Sequence, residues 1–186
     1  MRYIILLAAL LILISVTAAC AEVKPPPWFK PLFNGRDLTG WKHDAEVEKN
    51  WRVIDGIIVY DGLGKNLATE KNYRNFILTL RWKIEKDGNS GVYLRGMPQV
   101  QICDRTEGSG GLYDDGISPV RNVDRPVGQW NHFVIILRGD KVTVVENGIQ
   151  VVDRKPMKNL PPEGEIELQH HKTPLWFKDI YIRELP

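Results

Sequence analysis

Residues 89–96 read Asn-Ser-Gly-Val-Tyr-Leu-Arg-Gly, and residues 99–104 read Gln-Val-Gln-Ile-Cys-Asp. Both runs alternate apolar and polar residues, and the short break between them contains Pro98, so the pattern predicts two adjacent strands of one sheet. Successive side chains of a strand point to opposite faces. The apolar set expected to face a core comprises Val92, Leu94, Val100 and Ile102. The polar set expected on the other face comprises Tyr93, Arg95, Gln99, Gln101 and Cys103, with Asp104 at the strand end.

Strand signals continue on both sides of this pair. Asp55-Gly56 and Asn147-Gly148 each separate two β-rich runs, which is the strongest local signal for a hairpin. Residues 76–84 alternate in the same way, and we find no sustained helical period after residue 28. Roughly ten short strands with turn signals predict an all-β fold, a β-sandwich or jelly roll. The segment 105–128 is rich in Gly, Asp and Arg without any period, so we expect it to form a rim or lid beside a site.

Length and composition favour one domain. A chain of 186 residues with 43% hydrophobic residues can bury one good core. The formal net charge of +2 argues against a nucleic acid or an anionic membrane as a partner reached through bulk charge. Six Trp and six Tyr suit either the core or a surface that stacks on sugars.

The N-terminus predicts export. Arg2 precedes an uncharged run and small residues near Cys20, which is typical of a signal peptide over residues 1–20. The motif at 17–20 resembles a bacterial lipoprotein box that would lipidate Cys20, although Thr17 departs from its usual Leu, Val or Ile and ordinary cleavage after Ala21 is the alternative. A Pro-rich linker over 21–27 and one domain over 28–186 would follow. The expected location is the periplasm or cell envelope, with membrane contact through the lipid alone.

Cys103 would be the other thiol of the chain. We interpret it as a small strand residue, with a nucleophilic thiol as the alternative.

Several short motifs, most of them containing glycine, occur together in one order. They are Leu-Phe-Asn-Gly at 32–35, Asp-Leu-Thr-Gly-Trp at 37–41, Asn-Ser-Gly at 89–91, Gly-Leu-Tyr at 111–113, and Ile-Glu-Leu-Gln-His-His at 166–171. In this combination the sequence resembles the 3-keto-disaccharide hydrolase domain family over residues 28–185. The resemblance implies a concanavalin-like jelly roll, a concave sheet facing carbohydrate, secretion in bacteria, and action on sugars with one ring hydroxyl oxidised to a ketone.

The sequence departs from the family pattern at two positions. Gln99 replaces the usual Glu, and His170 replaces the usual Asp before a His. Each change removes a carboxylate that could act as a base or as a metal ligand.

A ketone acidifies the neighbouring carbon, so a base can remove its proton and the enolate can expel the glycosidic oxygen before water adds back. We hypothesise that His171 or Asp104 is the base. Arg95, with a divalent cation if one is bound, would stabilise the enolate. The alternatives are an exposed strand-end His171, a salt bridge from Arg95 to Glu167, and a turn cap at Asp104. The sequence leaves the metal unspecified, because no HxH or CxxC spacing is present.

Side chains on neighbouring strand faces would bind the sugar. Glu167, Gln169 and His171 alternate on one strand face, which could meet the polar face of the 89–104 pair. Tyr113 either stacks on the sugar or anchors the long segment. The expected substrate-binding set is Asn89, Tyr93, Gln101, Tyr113, Gln169 and Glu167.

We therefore predict a hydrolase or lyase that cleaves 3-keto-glycosides. The alternative is a non-catalytic carbohydrate-binding module, because jelly rolls host both functions, and a structural envelope protein is a third interpretation. No redox cofactor motif is present in the sequence, so a sugar-oxidising dehydrogenase in the same pathway would have to supply the ketone. We expect no nucleic-acid partner.

Overall fold

A computed structural model describes residues 26–186 as a sandwich of two antiparallel sheets. The larger sheet has eight strands in the order β10-β9-β8-β5-β12-β3-β2, with β1 paired to β12, and the smaller has the order β4-β11-β6-β7. The strands are β1 Lys30–Pro31, β2 Trp51–Ile54, β3 Ile57–Tyr60, β4 Leu67–Ala68, β5 Phe76–Ile84, β6 Asn89–Leu94, β7 Gln99–Cys103, β8 Asn131–Arg138, β9 Lys141–Glu146, β10 Ile149–Pro156, β11 Ile166–Leu168 and β12 Leu175–Glu184. The helices are α1, Ala45–Asn50, and a 3₁₀ turn, Tyr113–Asp115.

The predicted pairing of the two decisive strands is confirmed. β6 and β7 run antiparallel with Gly91 opposite Gln101 and Tyr93 opposite Gln99. The expected core set is fully buried between the sheets, with no exposed area on Val92, Leu94, Val100 or Ile102. Pleated alternation therefore leaves a polar outer face on the smaller sheet.

The predicted hairpins form because their turn residues tolerate left-handed backbone. Asp55 and Gly56 have φ of 50° and 76°, and Asn147 and Gly148 have 49° and 83°, as a tight hairpin turn requires. The six-residue helix α1 was not predicted. It begins at Asp44, whose side chain accepts from the backbone N–H groups of Glu46 and Val47.

The segment 105–128 lies along the free edge of β7. Gly110 N–H donates to Gln101 O at 2.8 Å, and Gln101 N–H donates to Gly111 O at 2.8 Å. Leu112 makes a bridge to Val100. The segment thus flanks the smaller sheet through backbone pairing and brings Tyr113 to its margin.

The predicted signal peptide at 1–20, lipidation of Cys20 and the first part of the linker at 21–27 lie outside the described residues. Within residues 26–186, no helix has the length and apolar character needed to cross a bilayer.

Candidate active site

Polar side chains cover the outer face of the smaller sheet. They come from β6, from β7 and from the three residues that follow β11. Gln169 N–H donates to Gly91 O at 2.9 Å, which extends the pairing beyond β11 and holds 169–171 beside β6. Two hydrogen-bonded groups result.

The first group leads from β7 to His171. Gln101 Nε2 donates to Asn89 Oδ1 at 2.6 Å, so the amide nitrogen of Asn89 faces His171 Nε2 at 3.1 Å. An amide nitrogen can only donate, and the network therefore assigns an unprotonated Nε2 and a neutral ring with its proton on Nδ1. Burial lowers the pKa of His171, and the nearby charges of Lys172, His170 and Arg105 lower it further. His171 is thus a neutral imidazole whose basic nitrogen lies among amide groups.

The second group leads from β7 to Tyr93. Gln99 Nε2 donates to Gln169 Oε1 at 2.8 Å, and Gln169 Nε2 donates to the Tyr93 hydroxyl at 3.0 Å. The Tyr93 O–H is consequently free to donate to a ligand. Burial raises the pKa of Tyr93, and the Asp114 carboxylate adds to this, so the phenol stays protonated.

Gly91 makes room for the second group. It lies between Asn89 and Tyr93 on the same strand face, and a Cβ there would lie 2.1 Å from Gln99 Nε2. The Gln99 side chain therefore crosses β6 over a residue without a side chain. Gln99 is only 3% exposed, which fixes its amide.

The segment 105–128 forms one wall of the site. Asp114 Oδ2 accepts from Gln99 N–H at 2.8 Å, which anchors the 3₁₀ turn to β7. The neighbouring Tyr113 is 64% exposed. A cavity of about 220 Å³ lies between this wall and β7, and its lining includes Gln101, Arg105 and Tyr113.

Arg95 is not on this face, and the expected placement beside Tyr93 is wrong. β6 ends at Leu94, and Arg95 adopts a left-handed backbone with φ of 56°, which stops the alternation. Its buried guanidinium donates to Pro161 O and Asn75 Oδ1, both at 3.1 Å, and to Arg74 O. The alternative salt bridge to Glu167 is also not formed.

Asp104 likewise points elsewhere, and the turn-cap alternative describes it. Its Oδ2 accepts from Asp87 N–H at 2.9 Å. It lines a different cavity of about 260 Å³, together with Trp82 and Arg125. Of the three residues predicted to act in catalysis, the structure brings only His171 into the polar network.

The predicted binding residues are mostly brought together. Asn89, Tyr93, Gln101 and Gln169 belong to the two hydrogen-bonded groups, and Tyr113 stands at the wall. Glu167 lies opposite Tyr93 on β11, where its Oε2 accepts from Asn66 Nδ2 at 2.8 Å.

The sequence profile of the 3-keto-alpha-glucoside-1,2-lyase-like domain matches residues 28–183. The chain belongs to this family. It is similar to a 3-keto-disaccharide hydrolase of Bacteroides thetaiotaomicron, with 23% identity in a match that covers 83% of this chain and 77% of that protein.

Solved structures share the jelly-roll fold of this chain. A candidate glycosyl hydrolase from Parabacteroides distasonis superposes with a TM-score of 0.74 and 26% identity, covering 87% of this chain and 86% of that one. A carbohydrate-binding module, CBM66 from Bacillus subtilis, superposes with a TM-score of 0.55 at 15% identity, covering 78% and 96%, which is a likeness of fold alone.

Two residues of the site, Arg105 and Gln99, were not predicted as site residues from the sequence. Arg105 is a cation near the network: it lines the cavity beside Gln101, and its charge acts on His171 after those of Lys172 and His170. Arg105 directly follows Asp104, in a segment without regular alternation of apolar and polar residues. The sequence pattern therefore could not predict the direction of its side chain. Gln99 was noticed as a departure from the family, and the structure places it at the centre of the second group.

Neither a reactive thiol nor a cluster of metal ligands is found among the described residues of the site. Burial raises the pKa of Cys103 to about 11, so the thiol is protonated and poorly nucleophilic. Within the described part of this 3-keto-alpha-glucoside-1,2-lyase-like domain, no three His, Cys, Asp or Glu side chains are grouped so that they could hold a metal ion.

Proposed function

We propose that this protein cleaves the glycosidic bond of 3-keto-glycosides by elimination next to the ketone, followed by addition of water. The observation that carries the proposal is the contact of 3.1 Å between His171 Nε2 and the Asn89 amide nitrogen on the outer face of the smaller sheet. The family of the chain and the name of its Bacteroides relative support the choice of substrate.

The proposed reaction consists of an elimination step and a hydration step. When the substrate displaces the Asn89 amide from His171 Nε2, this nitrogen takes the proton from C2, the C–H electrons form an enolate with the C3 ketone, and the enolate expels the oxygen on C1. The leaving oxygen takes up a proton, and an unsaturated ketone remains. Water then adds to C1 while a proton returns to C2, which gives the free 3-keto sugar.

Other residues supply donors and charge. The O–H of Tyr93 can donate to the developing oxyanion or to the leaving oxygen, because its hydrogen-bond partner within residues 26–186, Gln169, donates to it. We assign to Arg105 the cationic role first given to Arg95, since Arg105 is the arginine that lines the cavity. Glu167 and Tyr113 flank the face and suit contacts to sugar hydroxyls and to a ring face.

A carbohydrate-binding module remains the second candidate. It is favoured by Gln99, an amide at the centre of the network where the family pattern has a carboxylate. An amide binds hydroxyl groups but cannot take a proton.

One experiment separates the candidates. We would incubate the purified protein with a 3-keto-α-glucoside in D₂O and follow the products by NMR. Elimination and hydration should give a 3-keto sugar that carries deuterium at C2. Binding without cleavage would instead support the module, and cleavage without deuterium would exclude the proposed route.

His171→Ala should lower turnover by about 10²-fold or more, the usual contribution of a general base. His43→Ala is the matched control, because His43 is exposed and contacts Trp41 O away from this face. Equal turnover in both variants would remove His171 from the mechanism.

The proposed reaction needs a substrate whose C3 hydroxyl has already been oxidised to a ketone. We propose that a sugar-oxidising dehydrogenase provides the 3-keto-glycoside and that both act in the periplasm or cell envelope.

A further inference from the structure

The outer face of the larger sheet carries tryptophans and cations in register. Trp176 on β12 pairs with Lys83 on β5, and Lys178 pairs with Arg81 in the next row. Trp130 directly precedes β8, whose Asn131 pairs with Trp82, so it lies across from Lys83. We call Trp130, Trp176, Lys83, Lys178 and Arg81 the indole-lysine patch.

The lysines of the patch lie over indole rings. Lys83 Nζ is 4.4 Å from the ring centroid of Trp176 and 5.3 Å from that of Trp130. Lys178 Nζ is 4.8 Å from the centroid of Trp130. These cation–π contacts hold the ammonium groups in place and leave their outward side available to an anion.

Positive charge exceeds negative charge at this surface. Asp179 Oδ2 lies 3.5 Å from Arg81 Nε and 4.0 Å from Lys178 Nζ. Across residues 26–186, no carboxylate lies within ion-pair distance of Lys83. Burial lowers the pKa of the adjoining His132, and Arg81 and Arg125 lower it further, as expected beside a cationic surface.

We infer that the indole-lysine patch binds an anionic polysaccharide, one whose sugars carry carboxylate or sulfate groups. The indole rings hold the lysines at fixed positions, and the lysines and the arginine pair with the acidic groups of the polymer. Lys83 and Arg81 on β5 and Lys178 on β12 place three cations on two adjacent strands about 4.8 Å apart, so a chain with repeated acidic groups can contact all three.

The geometry favours a polysaccharide over a lipid surface. Insertion into a bilayer needs protruding apolar side chains, whereas the indoles of the patch are half-buried. The exposed large hydrophobic side chains of the described chain, such as Trp28, Leu63 and Val120, lie outside the patch. The patch is also on the sheet opposite the candidate active site, so a bound polymer would leave that site open.

Affinity electrophoresis of the full chain tests the inference. The probes are polygalacturonate, heparin, neutral dextran and vesicles containing phosphatidylglycerol. We expect retardation by at least one anionic polysaccharide, weakened by salt, and none by dextran.

Variants define the surface. Trp176→Ala and the double variant Lys83→Met, Lys178→Met should each weaken binding tenfold or more, while Lys155→Met, an exposed lysine on β10, should bind like the wild type. Turnover of a 3-keto-glucoside should be unchanged in all of them. Binding only to vesicles, equal binding by the patch variants, or no binding to either anionic polysaccharide would overturn the inference.

Discussion

His171 can act as a base only while its ring is neutral. Its pKa lies below the ordinary value because burial and neighbouring positive charges oppose protonation. The neutral form therefore persists to lower pH, and kcat/KM should fall only below about pH 6.5, the ordinary histidine value.

Asn89→Asp tests this assignment. A carboxylate beside Nε2 would stabilise the imidazolium, so the acid limb of the kcat/KM profile should move up by about one pH unit. Asn66→Asp is the control, because Asn66 contacts His170 and Glu167 instead. An acid limb that does not move in Asn89→Asp would mean that another group sets the profile.

Arg95 and Arg105 should respond in opposite ways to substitution. Arg95→Met leaves buried carbonyl groups without donors and should cost about 2 kcal/mol of unfolding free energy, or roughly 4 to 8 °C in Tm, with kcat kept. Arg105→Met should lower kcat and leave Tm unchanged, because Arg105 is exposed. Calorimetry and steady-state kinetics on both variants check this, and the reverse pattern would restore Arg95 to the site.

The alternation of apolar and polar residues along the strands predicted part of the site. It correctly put Tyr93 and Gln101 on the polar face, because both lie inside regular strands. It failed at Arg95, one residue past the end of β6, where the backbone turns left-handed. Side-chain direction follows from sequence inside a strand and depends on the local turn outside it.

At the scale of elements, β9 ends in an unusual buried acid. Glu146 has no exposed area, and no donor among the described residues reaches either of its oxygens. Burial raises its pKa to about 10, helped by a hydrogen bond with Asp124, so the folded protein holds this carboxyl protonated. The protonated group can donate to Asp124 and link β9 to the segment 105–128.

Glu146→Gln should therefore stabilise the fold at neutral and alkaline pH. Above its ordinary pKa near 4.5, the unfolded chain loses a proton that the folded chain keeps until about pH 10. Wild-type stability attributable to this group thus falls between those values, by on the order of 1 kcal/mol per pH unit. Urea unfolding at pH 5, 7 and 8.5 should show the advantage of Glu146→Gln growing with pH, and no such trend in the exposed control Glu163→Gln.

The elements themselves were predicted unevenly, for physical reasons. The hairpins follow from Asp-Gly and Asn-Gly, which fit left-handed turns. The helix α1 is too short to show a period. The docking of 110–112 on β7 uses backbone groups, which every residue has, so no side-chain pattern marks it.

At the scale of the whole molecule, the two sheets present different chemistry. The outer face of the smaller sheet carries amides, an imidazole, a phenol and the Glu167 carboxylate, and that of the larger sheet carries the indole-lysine patch. The net charge of +2 does not reveal this difference, because a total charge says nothing about where the charged side chains lie on the surface. The sequence could predict the sandwich but not the contrast between its faces.

We propose that lipidation of Cys20 anchors the whole protein to a membrane. If the motif at 17–20 acts as a lipoprotein box, the mature chain begins at a lipidated Cys20. Mass spectrometry of the N-terminal peptide after expression in a bacterial host should find the diacylglyceryl adduct, and Cys20→Ala should release the protein from the membrane fraction. An unmodified chain that begins at Glu22 would contradict the proposal.

The backbone pairing of 110–112 with β7 has one more consequence. Without it, the smaller sheet would offer an unpaired strand margin onto which another copy could add. At the opposite margin, β4 contributes only two residues, Leu67 and Ala68. Both ends of that sheet are thus poor templates for the addition of a strand from another copy.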